Sequence, residues 1–391
     1  MKVLQIHNFY QNPGGEDQVF AAEHNLLTSR GHTVVQYLAH NDAIGDMPGI
    51  QVSLKTLWNN DTYQEVRGLI RREQPDVAHA HNTFPLVSPA VYYAAAAEGV
   101  PIVQTLHNYR LLCPGGAFFR AGRICEECVG SLVPYRAVLH RCYRDNRGAS
   151  ATVAGMLATH RMLGTWKKKI DQYIAITAFS KEKFVAGGLP AEKIAVKPNF
   201  LAQDPPVGDG AGDFALFVGR LSAEKGLPVL LDAWQNLGRS IPLKIAGDGP
   251  LREWVRERAS SLAGVEPLGF CNRDVIMGLL REATCVILPS TCYEHLSMTL
   301  VEALGCGTPV VASALGTMKE SIIDGVNGYH FKAGDSTDLS ARVRDILSNR
   351  WKISEMRKTA RDSYEKNYTA ERNYILLMDI YNSVILHYKK S

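Results

Sequence analysis

Two glutamates, Glu294 and Glu302, stand eight residues apart in the run Leu-Pro-Ser-Thr-Cys-Tyr-Glu-His-Leu-Ser-Met-Thr-Leu-Val-Glu-Ala-Leu-Gly-Cys-Gly-Thr-Pro-Val-Val-Ala that begins at Leu288. The first is expected to close a strand-to-loop turn and the second to fall in the opening turns of a helix. The N-terminus of that helix, near Ser297, Met298 and Thr299, presents backbone N–H groups with no intrahelical acceptor, which makes it an anion site. An anion site bracketed by two carboxylates suits a nucleotide sugar. The diphosphate lies on the helix N-terminus, and the vicinal hydroxyls of ribose and hexose each find a carboxylate acceptor. A lone glutamate here would be read as a solvated or dipole-complementing helix residue; the paired spacing favours the site.

Upstream, the segment Phe217-Val218-Gly219-Arg220-Leu221-Ser222-Ala223-Glu224-Lys225-Gly226 places two cations, Arg220 and Lys225, on a loop and at the entry of the next helix. Both are suited to one pyrophosphate, since truncating a cation paired in a desolvated site costs on the order of 2 to 5 kcal/mol of binding. The turn Gly247-Asp248-Gly249-Pro250 is a weaker signal of the same kind. No Asp-x-Asp motif lies near this stretch. With two cations and a helix N-terminus at hand, no metal is electrostatically required.

The elements that must position these groups follow from hydrophobic patterning. The chain has 391 residues, 46% of them hydrophobic and 21% charged, which excludes a disordered, collagenous or coiled-coil protein and suggests two domains. An apolar run at Val3–Ile6, a turn at Asn12-Pro13-Gly14-Gly15 and a helix over Glu16–Arg30 make a strand-loop-helix unit. Further strands are expected at Thr33–Leu38, Asp76–His79, Pro101–Leu106 and Tyr173–Ile176, with a helix at Ala90–Glu98. A second series, Phe214–Val218, Leu243–Ala246, Thr284–Leu288, Pro309–Ala312 and Tyr329–Phe331, follows a segment rich in Pro, Gly and Asp at 200–213 that reads as a linker. Strand-helix alternation of this kind builds parallel, helix-covered sheets. The expected domains are 1–199, with a Cys-rich basic insertion at about 108–150, and 214–368. A C-terminal helix over 369–391 carries a stripe of Tyr374, Leu377, Met378, Tyr381, Ile385 and Tyr388. No G-x-G-x-x-G follows Val3–Ile6, which disfavours a nicotinamide-dependent oxidoreductase.

Taken together, Gly219–Gly226, the Glu294 and Glu302 pair, Gly307-Thr308-Pro309-Val310-Val311-Ala312 and Glu320 with Asp324-Gly325-Val326-Asn327-Gly328 resemble the retaining GT-B glycosyltransferases of family four, the glycosyl transferases group 1. The resemblance implies an α/β fold of two Rossmann-like, doubly wound domains facing across a cleft, with the C-terminal helix crossing back to the N-terminal domain. It implies that Arg220 and Lys225 hold the donor diphosphate, that Glu294 contacts the transferred sugar and Glu302 the ribose, and that Gly14 and Gly15 form a glycine loop admitting phosphates to backbone. It also implies that His107, in Thr105-Leu106-His107-Asn108, stands near the reacting centre, and that His81, in His79-Ala80-His81-Asn82, ends a strand facing the cleft. Since His79 and His81 alternate on a strand, one of them is equally a core residue. His295, Leu296 and Ser297 stand where many family members have Gly-Phe-Gly, so the donor sugar cannot be borrowed from the family.

Cys113, Cys125, Cys128 and Cys142 contain one C-x-x-C pair and two further thiols. They suit either a structural zinc site or uncoordinated thiols, and no cofactor is required for catalysis. Between Arg110 and Lys169 there are eleven Lys or Arg against three acids, while the whole chain carries only +4, so nucleic acid is not implied. This basic block, with an expected amphipathic helix over Ala151–Lys169, suits peripheral contact with an anionic membrane. The longest apolar run, Ala90–Ala97, is too short to span a bilayer, and the N-terminus is unlike a secretory signal. A cytoplasmic location, on the inner face of the membrane, is expected.

The leading expectation is a hexosyltransferase with a UDP- or GDP-sugar donor and a saccharide or glycolipid acceptor in bacterial cell-surface polysaccharide biosynthesis. A nucleotide-sugar epimerase and a non-catalytic interaction protein of the same fold are the alternatives.

Overall fold

The computed structural model of the chain describes residues 1–11, 14–348 and 350–389; Asn12 and Pro13 of the expected turn lie outside the described residues. The chain divides into two compact units, the first comprising 1–118, 125–202 and the chain from Asn373, the second 119–124 and 203–372.

In the first unit the strands are β1 (Lys2–Phe9), β2 (Thr33–His40), β3 (Val77–Ala80) and β4 (Ile102–Leu106). The short antiparallel hairpin of β5 (Phe119–Arg120) and β6 (Arg123–Ile124) belongs to the second unit, and β7 (Gln172–Ala175) and β8 (Ile194–Val196) complete the first. The sheet runs β2-β1-β3-β4-β7-β8, every pair parallel. β3 and β4 are buried at every residue, as strands covered by helices on both faces must be. The helix Ala370–Tyr388 packs Leu377, Ile380, Tyr381 and Val384 against Val3, Leu27, Val77, Val103 and Ile174 of this unit.

The second unit repeats the plan with β9 (Ala215–Val218), β10 (Leu243–Ala246), β11 (Val265–Gly269), β12 (Cys285–Leu288), β13 (Val310–Ser313) and β14 (Gly328–Phe331), ordered β11-β10-β9-β12-β13-β14 and again parallel. Its core centres on Trp234, Phe217, Ile287, Val311 and Phe331. No helix among the described residues is long and apolar enough to cross a membrane.

Three expectations need correction. The segment 200–213, within which the division between the units falls, is packed backbone. Phe200 and Leu201 are buried, and the amides of Gly208, Gly210 and Gly212 donate to the carbonyls of Cys306, Arg281 and Glu282 at 2.9, 3.1 and 2.9 Å. A Cβ at any of the three would collide with Arg281, Arg357 or Phe214, so these glycines permit close approach and do not supply slack. The helix expected over Ala151–Lys169 runs from Arg147 to Met162 and stops at Gly164, whose φ is 70°. Trp166 is buried, while Met162 and Leu163 are left exposed. Finally, β8 and β11 escaped the hydrophobic pattern, β8 because it has only three residues and β11 because Glu266 and Pro267 face solvent in its middle.

Candidate functional site

In the second unit, β9 ends at Val218 and the chain turns through Gly219–Ser222 into a short helical turn, Ala223–Lys225. Two glycines fix this loop. Gly247 and Gly249, with φ of 147° and 156°, bring the next strand-to-helix turn so close that a Cβ at either would meet the backbone of Gly219 or Leu221. The two loops are zipped together by Gly219 N to Ala246 O at 3.1 Å and Leu221 N to Asp248 O at 2.9 Å. Gly226, at φ 71°, rests on the carbonyl of Pro289. That contact delivers Lys225 to the segment after β12.

There the ammonium of Lys225 donates to Glu294 Oε1 at 2.5 Å, and the hydroxyl of Ser290 donates to the same oxygen at 2.6 Å. Burial opposes ionisation of Glu294, but Lys225 and Ser290 outweigh it and hold its carboxyl below the usual range. Burial likewise opposes the charge on Lys225, and Glu294 more than compensates, raising its pKa. Both bonds fall on Oε1, so Oε2 is the atom available to accept from a ligand hydroxyl. Burial pulls the adjacent His295 down to about 3, which keeps the imidazole neutral beside this pair.

The helix Met298–Gly305 begins four residues beyond Glu294, with Ser297 at its N-cap making no side-chain cap bond. Thr299 Oγ1 reaches Val218 O at 3.4 Å, which ties the helix N-terminus to the end of β9. Glu302 is buried on this helix and faces Arg273 Nη1 at 3.1 Å. Burial raises its pKa, and Arg273 works in the other direction. The structure therefore joins Lys225 to Glu294 directly and gives Glu302 a cation of its own. Arg220 stands exposed on the Gly219 loop.

Arg273 and Ser290 were missed by sequence reasoning. Arg273 did leave one trace, since a cation in the first turn of the helix Arg273–Glu282 is unfavourable to the helix dipole unless an anion faces it.

In the first unit, Gly14 caps the helix Gly15–Ser29 in an extended conformation, its N–H donating to Asp17 Oδ2 at 2.7 Å. Asp17 Oδ1 lies 2.7 Å from His7 Nε2. A Cβ at Gly14 would meet nothing within 4 Å, so open space, with no backbone demand, is what the glycine leaves. His107 follows β4 and His81 follows β3, and the two rings meet at 3.1 Å, His81 Nδ1 to His107 Nε2. Both line a pocket with Asn82, Gln104 and Arg110.

A further acid was not foreseen. Burial lifts Glu16 to about 7, against the pull of Tyr10 and Arg110, and Asn108 Nδ2 reaches it at 3.4 Å. Such a carboxyl exchanges its proton near neutrality. Nothing in its sequence position distinguishes it from any other acid in a first helical turn.

Of the two readings weighed for the four cysteines, the zinc site is not supported: among the described residues, no three of their sulfurs lie within 4.8 Å of one another. Cys128 is buried and Cys113, Cys125 and Cys142 are half-buried, with the Cys128 thiol raised to about 11 chiefly by burial. Among the described residues, the one group of three or more candidate ligand atoms within 4.8 Å of one another is Glu23, His79 and His81. The charge of that carboxylate is already met by Lys197.

Two sequence comparisons decide the family. The model described as Glycosyl transferases group 1 matches residues 207–364, and that described as Glycosyltransferase Family 4 matches residues 14–203. The chain belongs to the group 1 glycosyltransferases. Two relatives illustrate the likeness. An uncharacterized glycosyltransferase of Methanocaldococcus jannaschii, MJ1178, is 27% identical over 45% of this chain and 50% of its own length. The glycogen synthase of Mycobacterium tuberculosis is 27% identical over 72% of this chain and 62% of its own. The chain thus spans half to three-fifths of the length of these relatives. The fold is GT-B. The crystal structure of Anabaena Alr3699/HepE in complex with UDP and glucose superposes with a TM-score of 0.70 at 21% identity, covering 98% of this chain and 100% of that one. As a group 1 glycosyltransferase, the chain carries its cation, serine and glutamate cluster in the segment that the first of the two models matches.

Proposed function

We propose that the protein transfers a hexose from a nucleoside-diphosphate sugar, of the UDP or GDP type, to a hydroxyl of a saccharide or glycolipid acceptor, with retention at the anomeric carbon. The observation that carries this reading is the Lys225 ammonium held 2.5 Å from Glu294, just ahead of the N-terminus of the helix Met298–Gly305. A diphosphate on that N-terminus gains the helix dipole and the unpaired N–H groups of its first turn. Lys225 and Arg220 neutralise the charge that develops on the leaving phosphate oxygen. Glu294 Oε2 accepts from a hydroxyl of the transferred sugar, and Glu302 accepts from the ribose. Donor binding is assigned to the second unit, and acceptor binding, with His107, to the first.

In the step itself, the bond between the anomeric carbon and the phosphate oxygen breaks while the acceptor oxygen bonds to that carbon from the same face. The acceptor proton passes to the departing diphosphate. The complex of HepE with UDP and glucose supports a donor of this class by analogy of fold. No metal enters this reading, because the cations named above meet the charge of the diphosphate.

Glycosylation of the acceptor in bacterial cell-surface polysaccharide biosynthesis, at the cytoplasmic face of the membrane, completes the proposal. Leu132, Val133, Leu139, Met162 and Leu163 are exposed beside Arg136, Lys167 and Lys168. Each such cation near an anionic bilayer contributes about 1 kcal/mol, so flotation with anionic vesicles, but not with neutral ones, is expected.

The test is to incubate the purified protein with UDP-, GDP- and ADP-sugars, with and without lipid-linked acceptors, and to follow products by mass spectrometry. Acceptor-dependent release of nucleoside diphosphate together with a glycosylated product is expected. Isomerised donor in the absence of acceptor would establish an epimerase instead.

A further inference from the structure

The first unit contains a buried charge pair that the proposed reaction does not use. Glu23, on the inner face of the helix Gly15–Ser29, has no solvent exposure, and Lys197, directly after β8, has a side-chain exposure of 1%. The Lys197 ammonium donates to Glu23 Oε1. Lys197 is fixed there because its own amide continues the ladder to Ala175 O at 2.9 Å. Replacing both groups with apolar side chains is usually no loss to stability, so a pair of this kind invites a functional explanation.

The other oxygen supplies one. Glu23 Oε2 lies 3.4 Å from His81 Nε2, and among the described residues neither atom has a hydrogen-bond partner. His79 is 3.7 Å from the same oxygen, but both its nitrogens are engaged elsewhere, Nδ1 with the Tyr381 hydroxyl and Nε2 with Thr105 Oγ1, each at 2.7 Å. On its far side, His81 Nδ1 meets His107 Nε2 at 3.1 Å.

We infer that Glu23, anchored by Lys197, is a positioning residue that sets the tautomer of His81 and, through it, of His107. The two atoms are not in hydrogen-bond geometry, but a lone pair on Nε2 would face the carboxylate charge 3.4 Å away, so His81 carries its proton on Nε2. Its Nδ1 is then a lone pair and can only accept from His107, which must carry its proton on Nε2 as well. Burial, reinforced by the neighbouring histidines and Lys197, keeps His81 well below its usual pKa and therefore neutral, as a two-state relay of this kind needs. The lone pair of His107 is thereby assigned to Nδ1. The inference rests on the reading of His107 as a site residue only for its consequence in catalysis; the relay itself is a property of the fold.

Two-bond proton-nitrogen correlation spectra of the 15N-histidine-labelled full-length protein test it without any substrate, with His81→Gln and His107→Gln used for assignment. In the parent, both rings are expected as Nε2–H tautomers. In Glu23→Gln, Lys197 keeps the amide oxygen and the amide nitrogen turns to His81 Nε2. Both rings are then expected to invert to Nδ1–H, with turnover reduced on the order of tenfold. A parent spectrum with His107 protonated on Nδ1 would overturn the inference and requires no variant to fold. So would a Glu23→Gln protein whose rings match the parent. If the tautomers behave as expected while His107→Ala remains fully active, the relay stands and the placement of His107 in the site falls.

Discussion

Glu294 and Lys225, 69 residues apart in sequence, meet at 2.5 Å with Ser290 on the same carboxylate oxygen. The meeting depends on Gly226, which lets the turn carrying Lys225 rest on Pro289. Replacing Lys225 with Met is expected to weaken binding of a sugar nucleotide by about 2 to 5 kcal/mol, read by calorimetry. Because the carboxyl of Glu294 is held below its ordinary range, its contribution to stability is complete above that range and lost as pH falls through the lowered value. The Glu294→Gln protein should therefore lose less stability than the parent on acidification.

Gly226→Ala should destabilise the second unit by about 1 to 3 kcal/mol, since it forces a side chain into a left-handed backbone and against Pro289. Nucleotide binding should weaken in parallel. Thermal melts combined with calorimetry check both outcomes, and a variant of unchanged stability would show that the turn relaxes freely.

Glu16, raised to about 7 by burial, has the opposite sign to Glu294. The folded state binds the extra proton, so unfolding free energy should decline between pH 4.5 and 7 as the buried carboxyl is forced to ionise, by up to about 3 kcal/mol. Glu16→Gln should remove that slope in urea titrations carried out at several pH values.

Lys197→Met leaves the Glu23 carboxylate buried without its cation and should cost about 3 to 5 kcal/mol. Adding Glu23→Gln should recover much of that loss. A double-mutant cycle in denaturant measures the coupling directly, and strict additivity of the two changes would mean that the pair contributes no interaction energy.

How much of this was legible beforehand depended on whether a feature was local. Strands such as Val77–Ala80 and Ile102–Leu106 could be read because parallel strands are buried on both faces and appear as apolar runs. Ile194–Val196 and Val265–Gly269 could not: the first is only three residues long, and the second carries exposed Glu266 and Pro267 in its middle. Glu294 and Glu302 announced themselves by spacing within one segment. Their partners Lys225 and Arg273 come from other segments, and only Lys225 sat in a motif. The other three thiols do lie near enough to act on Cys128, but among the described residues no three of the four sulfurs come within 4.8 Å of one another, a distance that a C-x-x-C spacing cannot reveal. Glu23 and Lys197 lie 174 residues apart, and each alone reads as an ordinary surface charge. The composition of 200–213 marks a linker but not its packing, which rests on glycines 208, 210 and 212 admitting Arg281, Arg357 and Phe214.

The most direct measurement is a calorimetric titration of UDP, GDP and their hexose conjugates into the parent, Lys225→Met and Glu294→Gln. At least one nucleotide sugar should bind the parent; Lys225→Met should weaken the nucleotide and its sugar conjugate alike, and Glu294→Gln should weaken the conjugate more than the bare nucleotide. Equal binding of every ligand by all three proteins, or binding of none by the parent, would contradict the assignment of this charge pair to a sugar-nucleotide diphosphate.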